Sequence, residues 1–183
     1  MNNKGSNLFY KLVEEKVFVL VYGPYATGKT HLAYDAYILA ERLGYNPVII
    51  ATEPGTRTFL RDLKVNYTSV LTMDNLAEET TRAVLEDRYP IVDSINWIYR
   101  ENPGPENGRI LAYISALLGR NGGLATAQVS GSEDEASGAP YIIPWTYAIG
   151  RTSREKGLYL LEFKTPVKKV LGFKIWGKQI EWL

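Results

Sequence analysis

Residues 17–34 read VFVLVYGPYATGKTHLAY. A run of apolar β-formers ends in the turn Gly23-Pro24-Tyr25-Ala26-Thr27-Gly28, and Lys29 and Thr30 follow at once. The spacing G-x-x-x-x-G-K-[ST] suits a loop whose backbone N–H groups surround phosphate oxygens. Glycine permits backbone angles and a close approach that a Cβ would block. Lys29 would reach the β- and γ-phosphates as a point charge, and Thr30 would offer its hydroxyl to Mg²⁺. The arrangement needs a buried strand before the loop and a helix after it, so that the helix N-terminus faces the anion. Both are predicted by the flanking residues. His31 falls on the first turn of that helix, beside the phosphates, and reads as a helix residue rather than a catalyst.

A triphosphate site needs an acid that orders the metal and a group that orients water. Asp93 closes the apolar run Tyr89-Pro90-Ile91-Val92, which puts a carboxylate at the end of a buried strand, where it would hold Mg²⁺. Glu53 follows PVIIAT, and a carboxylate there can polarise the attacking water. Gln128 ends GLATAQ, where its amide could contact the γ-phosphate and report its presence to the residues that follow.

The elements that must position these groups alternate. Strands are predicted at 17–22, 47–52, 67–72, 89–95 and 123–129, and helices at 28–43, 57–63, 73–88 and 110–118. Leu32, Ala33, Ala36, Leu39 and Ala40 recur at helical spacing, and Gly44 is the stop. Alternation of this kind implies right-handed crossovers and a parallel sheet. Beyond about residue 140 the pattern changes to strands at 145–149, 158–163, 171–175 and 179–183 joined by short turns. These predict an antiparallel extension completing the sheet. Residues 1–8 read as a flexible tail and 9–183 as one domain. Residues 100–109 and 130–140, rich in glycine, proline and small polar residues, read as mobile loops at the strand ends where open α/β sheets bind ligands.

The bulk properties narrow the class. The 183 residues are 45% hydrophobic and 22% charged, as in a globular domain. A net charge of +1 gives no global attraction to nucleic acid. The sequence has no cysteine and one histidine, which excludes a disulfide framework and zinc sites built on cysteine or several histidines. No apolar run approaches the ~18 residues of a membrane span. A soluble cytoplasmic protein is the expectation.

Together, GPYATGKT, ATEPGTR (residues 51–57), PIVDSINWIYR (90–100) and TAQVS (126–130) resemble the RecA/RadA recombinase core, and the likeness is nearest to short archaeal RadA paralogs that consist of the ATPase core alone. The resemblance implies a P-loop NTPase of RecA-like α/β fold, with a mostly parallel central sheet flanked by helices. It implies ATP and Mg²⁺ as cofactors, and a phosphate loop formed by residues 23–30. By the same likeness Thr30 and Asp93 serve the metal, Glu53 is the catalytic glutamate, Gln128 senses the γ-phosphate, and Arg57 packs on the adenine. Implied partners are single-stranded DNA and the main RadA-type recombinase. The sequence also departs from the pattern. Ala127 stands where recombinases usually carry asparagine, Phe9-Tyr10-Lys11-Leu12 is a poor substitute for the Phe-x-x-Ala polymerisation segment, and the chain leaves no room for an N-terminal helical domain. Long filaments are therefore not expected, and self-association stays open. Glu133-Asp134-Glu135 would repel a phosphate backbone. Trp97, Tyr99 and Arg100 suit either stacking on unpaired bases or packing under the next helix. Three functions compete: a weak ATPase that modulates recombination and DNA repair, a small-molecule kinase, and a KaiC-like ATP-dependent protein switch that binds no DNA.

Overall fold

A computed structural model describes residues 7–129 and 135–183. Its nine strands form one sheet in the order β3-β2-β4-β5-β1-β6-β7-β8-β9. Strand β1 (Phe18–Gly23) lies between β5 (Gly123–Gln128) and β6 (Ala148–Glu155), parallel to both. Strand β4 (Tyr89–Asp93) joins β5 to β2 (Pro47–Ala51), and the short β3 (Tyr67–Ser69) closes that side, all parallel. From β6 onward the pairing is antiparallel through β7 (Leu158–Thr165), β8 (Lys169–Trp176) and β9 (Gln179–Trp182). The α/β architecture with a parallel centre and an antiparallel C-terminal extension is the one the alternation predicts.

Side chains of β1 alternate between two cores, as the pleat requires. Val19 and Val21 enter one core with Leu32, Ala36 and Tyr37 of α2 (Lys29–Arg42) and with Phe9 and Leu12 of α1 (Leu8–Glu14). Phe18, Leu20 and Tyr22 enter the other with Leu76 of α4 (Met73–Leu85) and with Leu111, Ile114 and Leu118. Because both faces are covered, β1 is buried along its whole length, and its sequence is a continuous apolar run. Helix α2 ends as its glycine predicts. Gly44 is left-handed, its N–H donates to the Glu41 carbonyl (3.0 Å), and the Tyr45 N–H donates to that of Ala40 (2.9 Å), which satisfies carbonyls that the helix end would orphan.

Several expectations need correction. Residues in the tail and its margin form α1, capped by the Asn7 side chain on the Phe9 N–H (2.9 Å). The segment 100–109 is mostly helical: α5 spans Trp97–Glu101, and α6 spans Pro105–Asn121 rather than starting at Ile110. Pro105 occupies the first turn of α6, where its missing N–H costs nothing. Pro54 does the same for α3 (Pro54–Leu60), which begins three residues before the predicted start at Arg57. Trp145 belongs to a 3-10 turn (Ile143–Trp145) after the short helix α7 (Ala139–Ile142), not to a strand. Of the acidic stretch at 130–140, residues 130–134 lie outside the described ones. Trp97 packs partly buried in the second core, and the Tyr99 ring meets that of Tyr141 at 6.0 Å, so packing rather than open display is their arrangement. Among the described residues, no helix is long and apolar enough to cross a membrane.

Candidate functional site

Four adjacent strands, β2, β4, β5 and β1, run parallel and end at one edge of the sheet. Register puts Ala51 opposite Asp93 and Gly23 opposite Gln128. The residues at or just after these strand ends, Glu53, Asp93, Gln128 and the 23–30 turn, therefore converge without any long reach. Glu53, Asp93 and Gln128 line a cleft of about 300 Å³ together with Tyr25, Ala26, Thr27, Gly28, Lys29, Thr30 and His31, while Gly23 and Pro24 lie behind that lining. A larger groove of about 530 Å³ lies away from this edge, between α1, α2 and β9, and presents no loop of N–H groups.

The turn is shaped for an anion. Gly28 caps α2 in the left-handed region at φ 88°. A Cβ on Gly23 would lie 2.3 Å from Thr152 Oγ1 and 2.6 Å from the Thr152 carbonyl oxygen, so β6 presses directly against the loop. Thr152 and Thr27 share a hydroxyl hydrogen bond of 2.6 Å, and the Thr27 hydroxyl lies 2.8 Å from the Pro24 carbonyl. Gly23→Ala is expected to destabilise the fold by about 1–3 kcal/mol, because backbone atoms of β6 must yield; thermal denaturation checks this. Pro24 and Tyr25 are exposed, and Tyr25 (86% exposed) projects from the crown of the loop.

Lys29 is only 5% exposed. Its ammonium donates to the carbonyls of Gly23 (3.0 Å) and Pro24 (2.6 Å) and to Gln128 Oε1 (3.2 Å). Burial lowers its pKa from 10.5 to about 8, and nearby Arg100 adds to this, while the charges of Asp93 and Glu53 oppose it. Gln128 Nε2 donates in turn to Glu53 Oε1 (3.2 Å). One amide thus bridges the lysine and the carboxylate. Burial raises the Glu53 pKa, as does the Asp93 charge; the Gln128 amide, Lys29 and Ser94 oppose the rise.

Asp93, 2% exposed, collects three hydroxyls. Thr30 (2.9 Å) and Thr56 (2.7 Å) donate to Oδ2, and Thr126 donates to Oδ1. Next to it, Thr52 Oγ1 accepts from the Ser94 N–H (2.8 Å) and donates to the Ser94 carbonyl (2.7 Å), locking the end of β4 to the end of β2. Sequence reading missed Thr56 and Thr126. Thr126 lies two residues before Gln128 on one face of β5, a signal available from the strand period. Thr56 depends on the first turn of α3, which Pro54 marks.

Arg57 and His31 differ in their relation to the cleft. Arg57 sits half-exposed on α3 outside the cleft lining, and Phe59 lines the cleft in its stead. The His31 ring meets Phe59 edge-on at 4.9 Å, and its Nε2 lies 3.2 Å from the Gly177 carbonyl in the β8–β9 turn. Burial lowers the His31 pKa, against that hydrogen bond and the Asp93 charge. Lys178 of the same turn donates to the Phe59 carbonyl (2.7 Å), which fastens the antiparallel extension to α3. Tyr159 and Ile175 supply a further wall, and the Arg154 guanidinium lies 5.1 Å from the Tyr159 ring centroid.

The donor set fits a magnesium nucleotide. A buried ammonium faces carbonyls and an amide rather than a bonded carboxylate, so an anion would improve its surroundings. Thr30 and Asp93 already touch, and both are hard oxygen donors of the kind Mg²⁺ takes alongside phosphate oxygens. Among the described residues, no group of three or more His, Cys, Asp or Glu side chains is placed to hold a metal ion.

A scan against protein-family models and a search of curated proteins found no match to the chain. Among solved structures, the chain is similar to a KaiC-like protein, PH0186, from the hyperthermophilic archaeon Pyrococcus horikoshii OT3, with a TM-score of 0.69 and 17% identity over 92% of this chain and 89% of that one. The likeness extends over nearly the whole of both chains, so the parallel core and the antiparallel extension form one RecA-like α/β fold.

Proposed function

We propose that the chain is a Mg²⁺-dependent ATP-binding protein and a slow ATPase, whose nucleotide state acts as a switch on a partner. One observation carries this reading: Lys29 and Thr30, Glu53, Asp93 and Gln128 come from four separate segments and meet in a single cleft. Residues 23–30 and the N-terminus of α2 bind the phosphates. Lys29 neutralises charge on the β- and γ-oxygens, and Gln128 turns its amide from Glu53 toward the γ-phosphate. Glu53, with its raised pKa, accepts the proton of the attacking water. Mg²⁺ held by Thr30 and Asp93 would supply charge neutralisation during phosphoryl transfer. Phe59, His31 and Tyr159 give aromatic surfaces for a base, and Arg154 a cation near the phosphates.

Two outputs fit this engine. Modulation of recombination, through single-stranded DNA or the main recombinase, is supported by the sequence resemblance. A protein-directed switch is supported by the structural likeness to a KaiC-like protein and by the packing of Trp97 and Tyr99, which withdraws two aromatics from stacking on bases. In the kinase reading Arg151 and Arg154 would form a lid, but both lie on strand β6. ATP with Mg²⁺ is expected to bind measurably by calorimetry and to release phosphate more slowly than about 1 s⁻¹. No heat of binding would overturn the nucleotide reading. Fluorescent single-stranded DNA, titrated across a salt series with and without ATP–Mg²⁺ for wild type and Lys29→Ala, separates the outputs. Salt-sensitive binding that responds to nucleotide only in wild type favours the recombination output. No binding at low salt leaves the protein-directed switch.

A further inference from the structure

We infer that Asn96 is a positioning residue that holds Gln128 in register with Glu53 and Lys29; this rests on the nucleotide reading of the cleft. Asn96 is wholly buried, in the turn between Asp93 and α5. An asparagine side chain has two donors and two acceptor lone pairs. All four are used. Nδ2 donates to the carbonyls of Gln128 (2.8 Å) and Ser137 (2.9 Å). Oδ1 accepts from the Gln128 N–H (2.9 Å) and the Ser94 hydroxyl (3.0 Å).

The pattern is specific in its target. Both backbone groups of Gln128 are taken by one side chain, so the Cα of Gln128 is fixed relative to the turn that carries Asp93. β5 ends at this residue, and no further strand pairing with β4 would hold it: the ladder between β4 and β5 stops at Val92 and Ala125. Asn96 substitutes for that missing pairing. Its bond to Ser137 pins that residue at the same point, where Val129 also bridges to Ala136 and the Ser137 N–H donates to the Gln128 carbonyl (3.4 Å). Rearrangement on nucleotide binding is thereby confined to the Gln128 side chain, whose amide sits between Lys29 Nζ and Glu53. A buried asparagine kept only for turn geometry would bond to its own loop; here three of four bonds leave that turn for β5 and its return.

The proposal is tested with Asn96→Ala, Gln128→Ala and the double variant, by ATPase kinetics and by hydrogen exchange of the nucleotide-free protein. Asn96→Ala is expected to lower kcat by about 10–100-fold, with KM within about 2-fold, since a displaced group near the reacting atoms costs rate rather than ground-state binding. The double variant is expected to be no slower than Gln128→Ala, because Asn96 acts through that residue. Exchange at the Gln128 amide should rise by about 10-fold or more, with core amides of β1 unchanged. Asn96→Ser, which keeps a hydroxyl against Gln128, carries the same comparison if the alanine variant does not fold. Additive losses, or unchanged exchange at Gln128, overturn the proposal. Wild type that binds no nucleotide overturns the reading of the cleft instead, and exchange at Gln128 then decides the Asn96 assignment by itself.

Discussion

Replacing Glu53 by glutamine is expected to lower ATP turnover by about 10²–10⁴-fold, the range a positioned general base supplies, while nucleotide affinity changes by no more than about 3-fold. The two side chains are nearly the same shape, and the amide oxygen of glutamine still accepts from Gln128 Nε2, so the bridge to Lys29 survives. What is lost is the basic oxygen. The pH dependence follows with a definite sign. Burial and the Asp93 charge raise the Glu53 pKa above its ordinary 4.5, so the carboxylate protonates earlier as pH falls. Wild-type turnover should decline on the acid side at a pH above the usual glutamate range, and the residual turnover of the variant should lack that limb. Phosphate release across a pH series reads the first quantity, and titration with a fluorescent nucleotide reads the second. Turnover within about 3-fold of wild type would remove Glu53 from the chemistry and leave it as an anchor for Gln128.

That Glu53 was legible in the sequence has a simple cause. In a parallel sheet the strand ends share one edge, so a polar residue closing an apolar run is carried there by topology alone. Asp93 and Gln128 were found the same way, and the glycine spacing gave Lys29 and Thr30. The place of Arg57 was harder to read because it depends on where α3 begins. With Pro54 at the first turn, the helix phase puts Phe59 at the cleft and Arg57 outside its lining. Asn96 and Thr152 were invisible for a related reason. Each acts through a partner distant in sequence, Asn96 through Gln128 and Thr152 through Thr27, and no local period encodes such a pairing. The antiparallel extension was foreseen as strands, but its attachment to α3 by Lys178 and to α2 by His31 belongs to tertiary packing. Helix α1 escaped because seven residues carry too little periodicity to stand out beside a polar leader.

Lys29→Ala is expected to weaken ATP binding by about 100-fold, the worth of charge-assisted hydrogen bonds in a buried site, and to reduce the preference for triphosphate over diphosphate. The larger consequence lies in pH. In the ligand-free protein the ammonium is buried against two carbonyls and an amide, and its pKa falls to about 8. A bound triphosphate places negative charge beside it and draws the pKa back up. Linkage then fixes the sign: above pH 8 the ligand-free protein has lost the proton that the complex keeps, so binding takes up a proton and affinity falls as pH rises. Below pH 8 this dependence vanishes, since both states are protonated. Calorimetry in two buffers of different ionisation enthalpy measures the uptake directly. Wild type should approach one proton taken up by about pH 9, a pH unit above the ligand-free value, and the alanine variant should take up none at this site. Equal proton uptake in both proteins would show that Lys29 keeps the same protonation state with and without the nucleotide and that the uptake arises elsewhere. The lysine would then be a structural bolt for the loop, and the charge that meets the γ-phosphate would have to come from Arg154 or from Arg100.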